Sequence, residues 1–209
     1  MNGMEPILSV VFFRTEAGGE PVREWLKSLP REERRTIGVH IKTVQFGWPL
    51  GMPLVRKLDQ NLWEVRSRLP DRIAPVIFTT AKAGWFCFTA SSRNHRRLPR
   101  KTWNWRKPAS VCYSSAMKKV HVGSDLDDLL KEEGLLAECE AGALKRVVAW
   151  QLEQEMKRRR ISRAQLASRM KTNRATLDRL FAQDESSVTL QLLEQAALAL
   201  GRKLKIELA

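Results

Sequence analysis

The chain has 209 residues, 43% of them hydrophobic, and its 37 Lys and Arg outnumber 23 Asp and Glu to give a net charge of +14. That length suits one large domain or two small ones, and no apolar run is long enough to span a bilayer, so membrane insertion is not expected. Three cysteines (Cys87, Cys112, Cys139) without CxxC spacing, and histidines only at 40, 95 and 121, argue against a disulfide framework or a zinc site. No metal and no cofactor are expected. The start MNGMEPILSVVFFR lacks the basic stretch, apolar core and cleavage site of a secretion signal, which makes the expected location cytoplasmic.

In chain order, LSVVFFR reads as a strand before the break at Gly18-Gly19. Pro21 opens a helix with Val22, Trp25, Leu26 and Leu29 on one face, and Pro30 ends it. Residues 31–46 make a second helix with Ile37, Ile41 and Val44 inward. Gly47, Pro49, Gly51 and Pro53 mark a loop. LVRKL, LWEVRSRL and RIAPVIFTT follow as strands, joined by Asp59-Gln60-Asn61 and by Pro70-Asp71. The order β, α, α, β, β, β implies an α+β domain: an antiparallel sheet with helices on one face. Pro75 removes a ladder donor, so the last of these strands is expected at an edge or weakened.

The strings VREWLKSLP and GMPLVRKLDQNLWEVRSRLPDRIAPVIFT resemble the HigB-like toxins of the RelE superfamily, over about residues 8–80. The resemblance implies a RelE-like fold and a metal-independent ribonuclease that cuts mRNA, usually on the ribosome. Basic side chains would stabilise charge at the scissile phosphate while the adjacent 2′-hydroxyl attacks. By that match Arg66, Arg68 and Arg72 are the catalytic candidates, with Arg56 and Lys57 as RNA-backbone contacts. Alternation puts Arg66 and Arg68 on one face of their strand, as a shared phosphate site requires; the plain alternative is the wet face of a half-buried sheet.

Residues 84–116 break this order. Residues 85–116 carry seven basic side chains and no acidic one, in a stretch without helical or strand period. Such an excess fits either a solvated basic linker or a phosphate-binding patch. Taking an allowed codon for each residue and reading from the last base of each codon turns residues 84–95 into MVLLHGFIKKS and 101–118 into DLELAKARQRLLLKRYE. Both look like the end of a HigB-like toxin, the second with the Leu and Ala spacing of an amphipathic helix. The expectation is a reading-frame slip near Ala83-Gly84 that leaves a truncated, inactive toxin module (residues 1–83) and a basic linker (residues 84–116).

From Met117 mixed charge returns. Leu144, Val148, Leu152 and Met156 hold a four-residue spacing along a helix ending in the basic run 157–160. In ISRAQLASRMKTNRATLDRLF, Ser162 and Gln165 form a capping box, with Leu166 and Ala167 inward. Asn173 caps a second short helix with Leu177 and Leu180 inward. The pair resembles the helix-turn-helix of Cro/C1-type (XRE) repressors and of HigA-like antitoxins, except that Lys171 stands where that family usually has Gly in the turn. The resemblance implies that Arg174, Ala175, Thr176 and Arg179 read or flank bases in a double-stranded operator, and that Ser162, Gln165 and Asn173 meet phosphates. A plain helical bundle with solvated arginines is the alternative. SVTLQLLEQAALALG adds a helix stopped by Gly201, and RKLKIEL alternates as a short terminal strand able to pair with a second copy.

The whole reads as a toxin–antitoxin fusion: residues 1–83 toxin-like, 84–116 linker, 117–209 an all-α helix-turn-helix antitoxin domain. The expected activity is sequence-specific DNA binding and transcriptional autoregulation as a homodimer, with a cognate HigB-like toxin as a further partner. Retained mRNA cleavage is the competing reading.

Overall fold

The computed structural model describes residues 6–80, 85–90, 121–182 and 188–204, with residues 85–90 described by their backbone. Two compact units emerge, Pro6–Glu140 and a second made chiefly of Ala141–Ala209. This division falls at neither of the boundaries expected from sequence. Residues 121–140, expected to open the C-terminal domain, fold with the N-terminal sheet.

In the first unit β1 (Ser9–Phe13) leads to α1 (Pro21–Ser28) and α2 (Arg31–Gly47). Pro21 begins α1, and the buried Val22 and Leu26 lie one turn apart on its inner face, as the spacing requires. Ile37, Ile41 and Val44 of α2 are completely or almost completely enclosed. Then come β2 (Val55–Asp59), β3 (Leu62–Arg68) and β4 (Ile73–Thr80), the expected meander. Further along, β5 (Trp85–Ala90) pairs antiparallel with β4 and parallel with β1. β6 (Val122–Asp125) adds to the other side of β1, giving a six-stranded sheet in the order β2-β3-β4-β5-β1-β6.

Three expectations need correction. The sheet is not wholly antiparallel, because β1 and β5 run in the same direction across the helical crossover. The fold of the toxin-like module does not stop at residue 83: residues 85–90, expected in the linker, form a strand of the same sheet. And β4 is an interior strand. It tolerates Pro75 for a local reason. Arg66, the partner of Pro75, turns its N–H toward β2, donating to the Leu54 carbonyl at 2.9 Å, so the Arg66–Pro75 pair exchanges no ladder bonds and the proline nitrogen faces the β5 side. The β3–β4 ladder therefore loses nothing to the missing proline N–H.

β6 leads into α3 (Leu126–Glu132), capped by the Asp125 side chain, and then into α4 (Leu136–Arg158), which runs on into the second unit. Leu126, Leu129, Leu130, Leu135 and Cys139 are buried. α2 lets them come close at Gly38: an added Cβ there would lie 2.9 Å from Cys139 Sγ and 3.1 Å from Leu130 Cδ2. Gly123 does the same for β6, since a Cβ would stand 2.6 Å from the Phe12 carbonyl oxygen. Glu20 accepts from the Ser124 amide at 2.8 Å and also from its hydroxyl and from Arg14. Burial alone would raise the Glu20 pKa, but those hydrogen bonds, Ser124 foremost, outweigh it and hold the carboxyl below its usual range.

At the centre of this packing is Lys42 of α2, 1% exposed, whose ammonium lies 2.7 Å from Asp127 and 3.0 Å from Glu140. A lysine buried this completely is tolerable only when paired, because the desolvation of an ammonium costs several kcal/mol. Phe46 adds a ring face 5.2 Å from the nitrogen.

The second unit packs Leu152 and Met156 of α4 against α5 (Arg163–Arg169), α6 (Arg174–Leu180) and α7 (Leu190–Ala199) around Leu166, Leu177, Leu180, Leu193 and Ala196. Glu155 holds three arginines, Arg158, Arg159 and Arg202, and their hydrogen bonds, that of Arg158 above all, bring its carboxyl down to about 2. The predicted terminal strand falls largely on residues 205–209, outside the described residues; 202–204 have no regular structure.

Removing both carboxylates from Lys42, Asp127→Ala with Glu140→Ala, is expected to cost about 3 kcal/mol of stability by denaturant titration, and adding Lys42→Met should recover most of it. A cost well under about 1 kcal/mol would mean that the ammonium reaches water instead.

Candidate functional site

Two surfaces carry the residues expected to act. In the first unit the strand register sorts them by face. Arg56 pairs with Glu64, Arg66 with Pro75 and Arg68 with Ile73, and cross-strand partners share a face. Arg56, Glu64, Arg66 and Arg68 therefore stand on one side of the sheet, beside the small cluster of Leu62 and Ile77. The opposite side holds Trp63, Val65 and Ser67 of β3 and Phe78 of β4. There Trp48, just beyond α2, meets Trp63 edge-on at 5.2 Å, while Trp63 and Phe78 stack at 5.8 Å.

The expected set thus divides. Arg68 is exposed and Arg66 is about one-third exposed, with the Glu64 carboxylate 3.9 Å from its Nε. Arg56 joins them from β2. Lys57 is exposed but pairs with Trp63, which places it on the helix-bearing side. Arg72 lies in the turn between β3 and β4, where its backbone carbonyl accepts from Leu69 at 2.8 Å, and its guanidinium is held by Glu33 of α2 and by Asp71 at 3.3 Å. Three guanidinium groups, those of Arg56, Arg66 and Arg68, on one sheet face suit phosphate binding. Arg72 is engaged in joining the turn to α2.

The second surface is the α5–α6 pair. The Ser162 hydroxyl accepts from the Gln165 amide at 3.2 Å, and the Gln165 side chain accepts from the Ser162 amide at 2.8 Å, completing the capping box read from sequence. The side-chain Oδ1 of Asn173 caps α6 by accepting from the Thr176 amide at 2.8 Å, and also accepts from the Thr176 hydroxyl at 3.0 Å. These polar groups are partly spent on the helix ends. α5 ends on Lys171 at φ 52°, with Thr172 N–H donating to the Ala167 carbonyl at 3.0 Å; the turn needs the left-handed backbone and has a lysine in it. Leu177 and Leu180 face the core, which leaves Arg174, Ala175 and Arg179 exposed and Thr176 half-buried on the outer side. Arg174 is 77% exposed, with Asp178 at 3.8 Å, and Arg163 joins the same carboxylate group at 3.2 Å.

Sequence reasoning missed a third feature, the cations of α1 and α2 that pair with residues 126–140. The signal was present: Arg31, Arg34, Gly38 and Lys42 recur at three- and four-residue steps, while residues 122–140 hold seven acidic residues against one basic. Among the described residues no cluster of His, Cys, Asp or Glu is arranged as metal ligands would be, and no helix is long and apolar enough to cross a membrane.

Residues 24–101 match the model of the family described as Phage derived protein Gp49-like (DUF891), a toxin family related to RelE and HigB. The match runs from α1 through β5 and continues past it, beyond the point where the sequence suggested a frame slip. No curated protein and no solved structure matches the chain.

Because a left-handed lysine costs more than glycine at the same φ, Lys171→Gly is expected to stabilise the second unit by up to about 1 kcal/mol. Hydrogen exchange of the α6 amides would report it, and faster exchange in the variant would contradict the strain assigned to this turn.

Proposed function

We propose that the chain works in a toxin–antitoxin setting and that its C-terminal helices bind DNA with sequence specificity, regulating transcription at its own locus. The observation that carries this reading is the outward face of α6, where Arg174, Ala175, Thr176 and Arg179 project from a short helix whose N-terminus is capped and open to solvent. Entering a major groove end-on, such a helix offers Arg174 and Arg179 to base edges or phosphates. The weak pairing of Arg174 with Asp178 is exposed and costs little to exchange for a nucleic-acid contact. α5 would cross the backbone with Ser162 and Gln165 at its start, and Asn173 would meet a phosphate through its amide nitrogen. Binding to a two-fold operator asks for a homodimer of the C-terminal part, within residues 117–209, and a cognate HigB-like toxin is a further partner in this reading.

A second reading has its own support. The Gp49-like match over residues 24–101 and the shared face of Arg56, Arg66 and Arg68 suit a metal-independent ribonuclease acting on mRNA. In it the guanidinium groups of Arg66 and Arg68 would stabilise the phosphorane-like charge that builds as the 2′-hydroxyl attacks. Arg72, tied to Glu33, would position the turn instead of touching RNA.

The two readings are separated by two measurements. Titration of the full chain against DNA from its own locus should give specific binding that Arg174→Ala weakens by about 1–3 kcal/mol; binding that is absent at low salt, or indifferent to Arg174, contradicts the DNA reading. Induction of the chain in cells should leave growth unchanged under the DNA reading, whereas an arrest relieved by Arg68→Ala assigns the activity to the sheet face.

A further inference from the structure

The charge pattern missed in the sequence belongs to neither nucleic-acid surface, and its pairs are specific. Arg23 and Lys27 of α1 meet Glu132 at 2.6 and 2.8 Å. From α2, Arg31 meets Glu138 at 3.1 Å, Arg34 meets Glu133, and Lys42 meets Asp127 and Glu140. Arg34 also donates to the Leu26, Lys27 and Leu29 carbonyls, so it closes the end of α1 while holding Glu133. Beneath the ion pairs lie Leu126, Leu129, Leu130, Leu135 and Cys139, all buried, with Gly38 as the gap that admits them. At the start of the segment β6 continues the sheet on β1, with Val11 opposite Asp125 and Phe13 opposite Val122. None of residues 122–140 falls within the family match, which ends at 101.

Strand addition at a sheet edge, a desolvated leucine centre and a charged rim of opposite sign are together what a bound polypeptide uses on a protein surface. We propose that α1, α2 and the outer edge of β1 form a docking surface whose occupant is the acidic, leucine-rich strand-and-helix segment of residues 122–140. These contacts hold the segment, and the covalent connection through residues 91–120 is dispensable. The surface is accordingly a site for a second polypeptide of the same chemistry, met here by a segment of the same chain. The proposal is independent of whether either nucleic acid is bound. It has one consequence for function: Arg23, Lys27, Arg31, Arg34 and Lys42 are already paired with acids, whereas among the described residues Arg56, Arg66 and Arg68 share a sheet face outside that contact.

The test is to insert a site-specific protease sequence after Ser110 in the full chain, cleave the folded protein, and measure how much of the C-terminal half stays with a tagged N-terminal half. The halves are expected to remain together in native buffer. Two variants should release them, with retention falling about tenfold or more, one from each side of the contact. Gly38→Leu fills the gap under Leu130 and Cys139 while favouring helix in α2, and Leu130→Asp acts on the segment without touching the N-terminal half. Separation of the unvaried halves on cleavage, or full retention by either variant, would overturn the proposal.

Discussion

A buried ammonium needs its counter-charges, and in this chain that requirement links parts distant in sequence. Lys42 is enclosed in α2, and the carboxylates that make it tolerable come from Asp127 at the start of α3 and Glu140 in α4. Both partners are partly open to water, which lowers their own desolvation cost and leaves the larger share with the lysine. With those pairs in place, β6 is delivered beside β1 and Gly123 passes close to the Phe12 carbonyl. Leu126, Leu129 and Leu130 are then buried over α2. The compact first unit thus takes in residues up to Glu140, well past the residues that the family model covers.

The same arrangement decides which charges remain to act. A net charge of +14 invites a nucleic-acid reading of the whole chain, yet five cations of α1 and α2, Arg23, Lys27, Arg31, Arg34 and Lys42, are paired with an acidic segment only a few turns long. Charge that is already paired releases no counterions on meeting phosphate and contributes little to binding. Among the described residues, Arg66 with Glu64 at 3.9 Å and Arg174 with Asp178 at 3.8 Å are only loosely held, and Arg56, Arg68 and Arg179 are exposed. Distribution, more than the total, locates the candidate surfaces. Arg72 shows the converse, since its place in the sequence suggests a role in the site while Glu33 and Asp71 engage it in the turn.

Local rules made much of this legible. Pro21 and the spacing of Val22 and Leu26 mark α1, the apolar steps of α2 mark its buried side, and the Ser162–Gln165 box and the Asn173 cap appear as read, because each depends on neighbours in the chain. The left-handed backbone at Lys171 was likewise visible as an uncommon residue in a turn that prefers glycine. What was hidden depends on contacts far apart in sequence. The parallel pairing of β1 with β5 cannot be seen from either strand alone, and unfavourable composition concealed β5 itself. Pro75 looked like an edge marker because its tolerance depends on which way the Arg66–Pro75 pair turns its backbone groups, and that is set by β2. Nothing in the neighbouring sequence marks Lys42 as buried, because its partners Asp127 and Glu140 lie far along the chain.

The claim that Lys42 and its carboxylates make β6 and α3 one cooperative body with β1 and α2 is tested most directly by native-state hydrogen exchange on the full chain. The account predicts that amides of α3 such as Leu129 and Leu130 open with the same free energy as the central amides of α2, within about 1 kcal/mol. Opening of β6 and α3 several kcal/mol below the sheet and α2, as a separate and weaker unit, would contradict it.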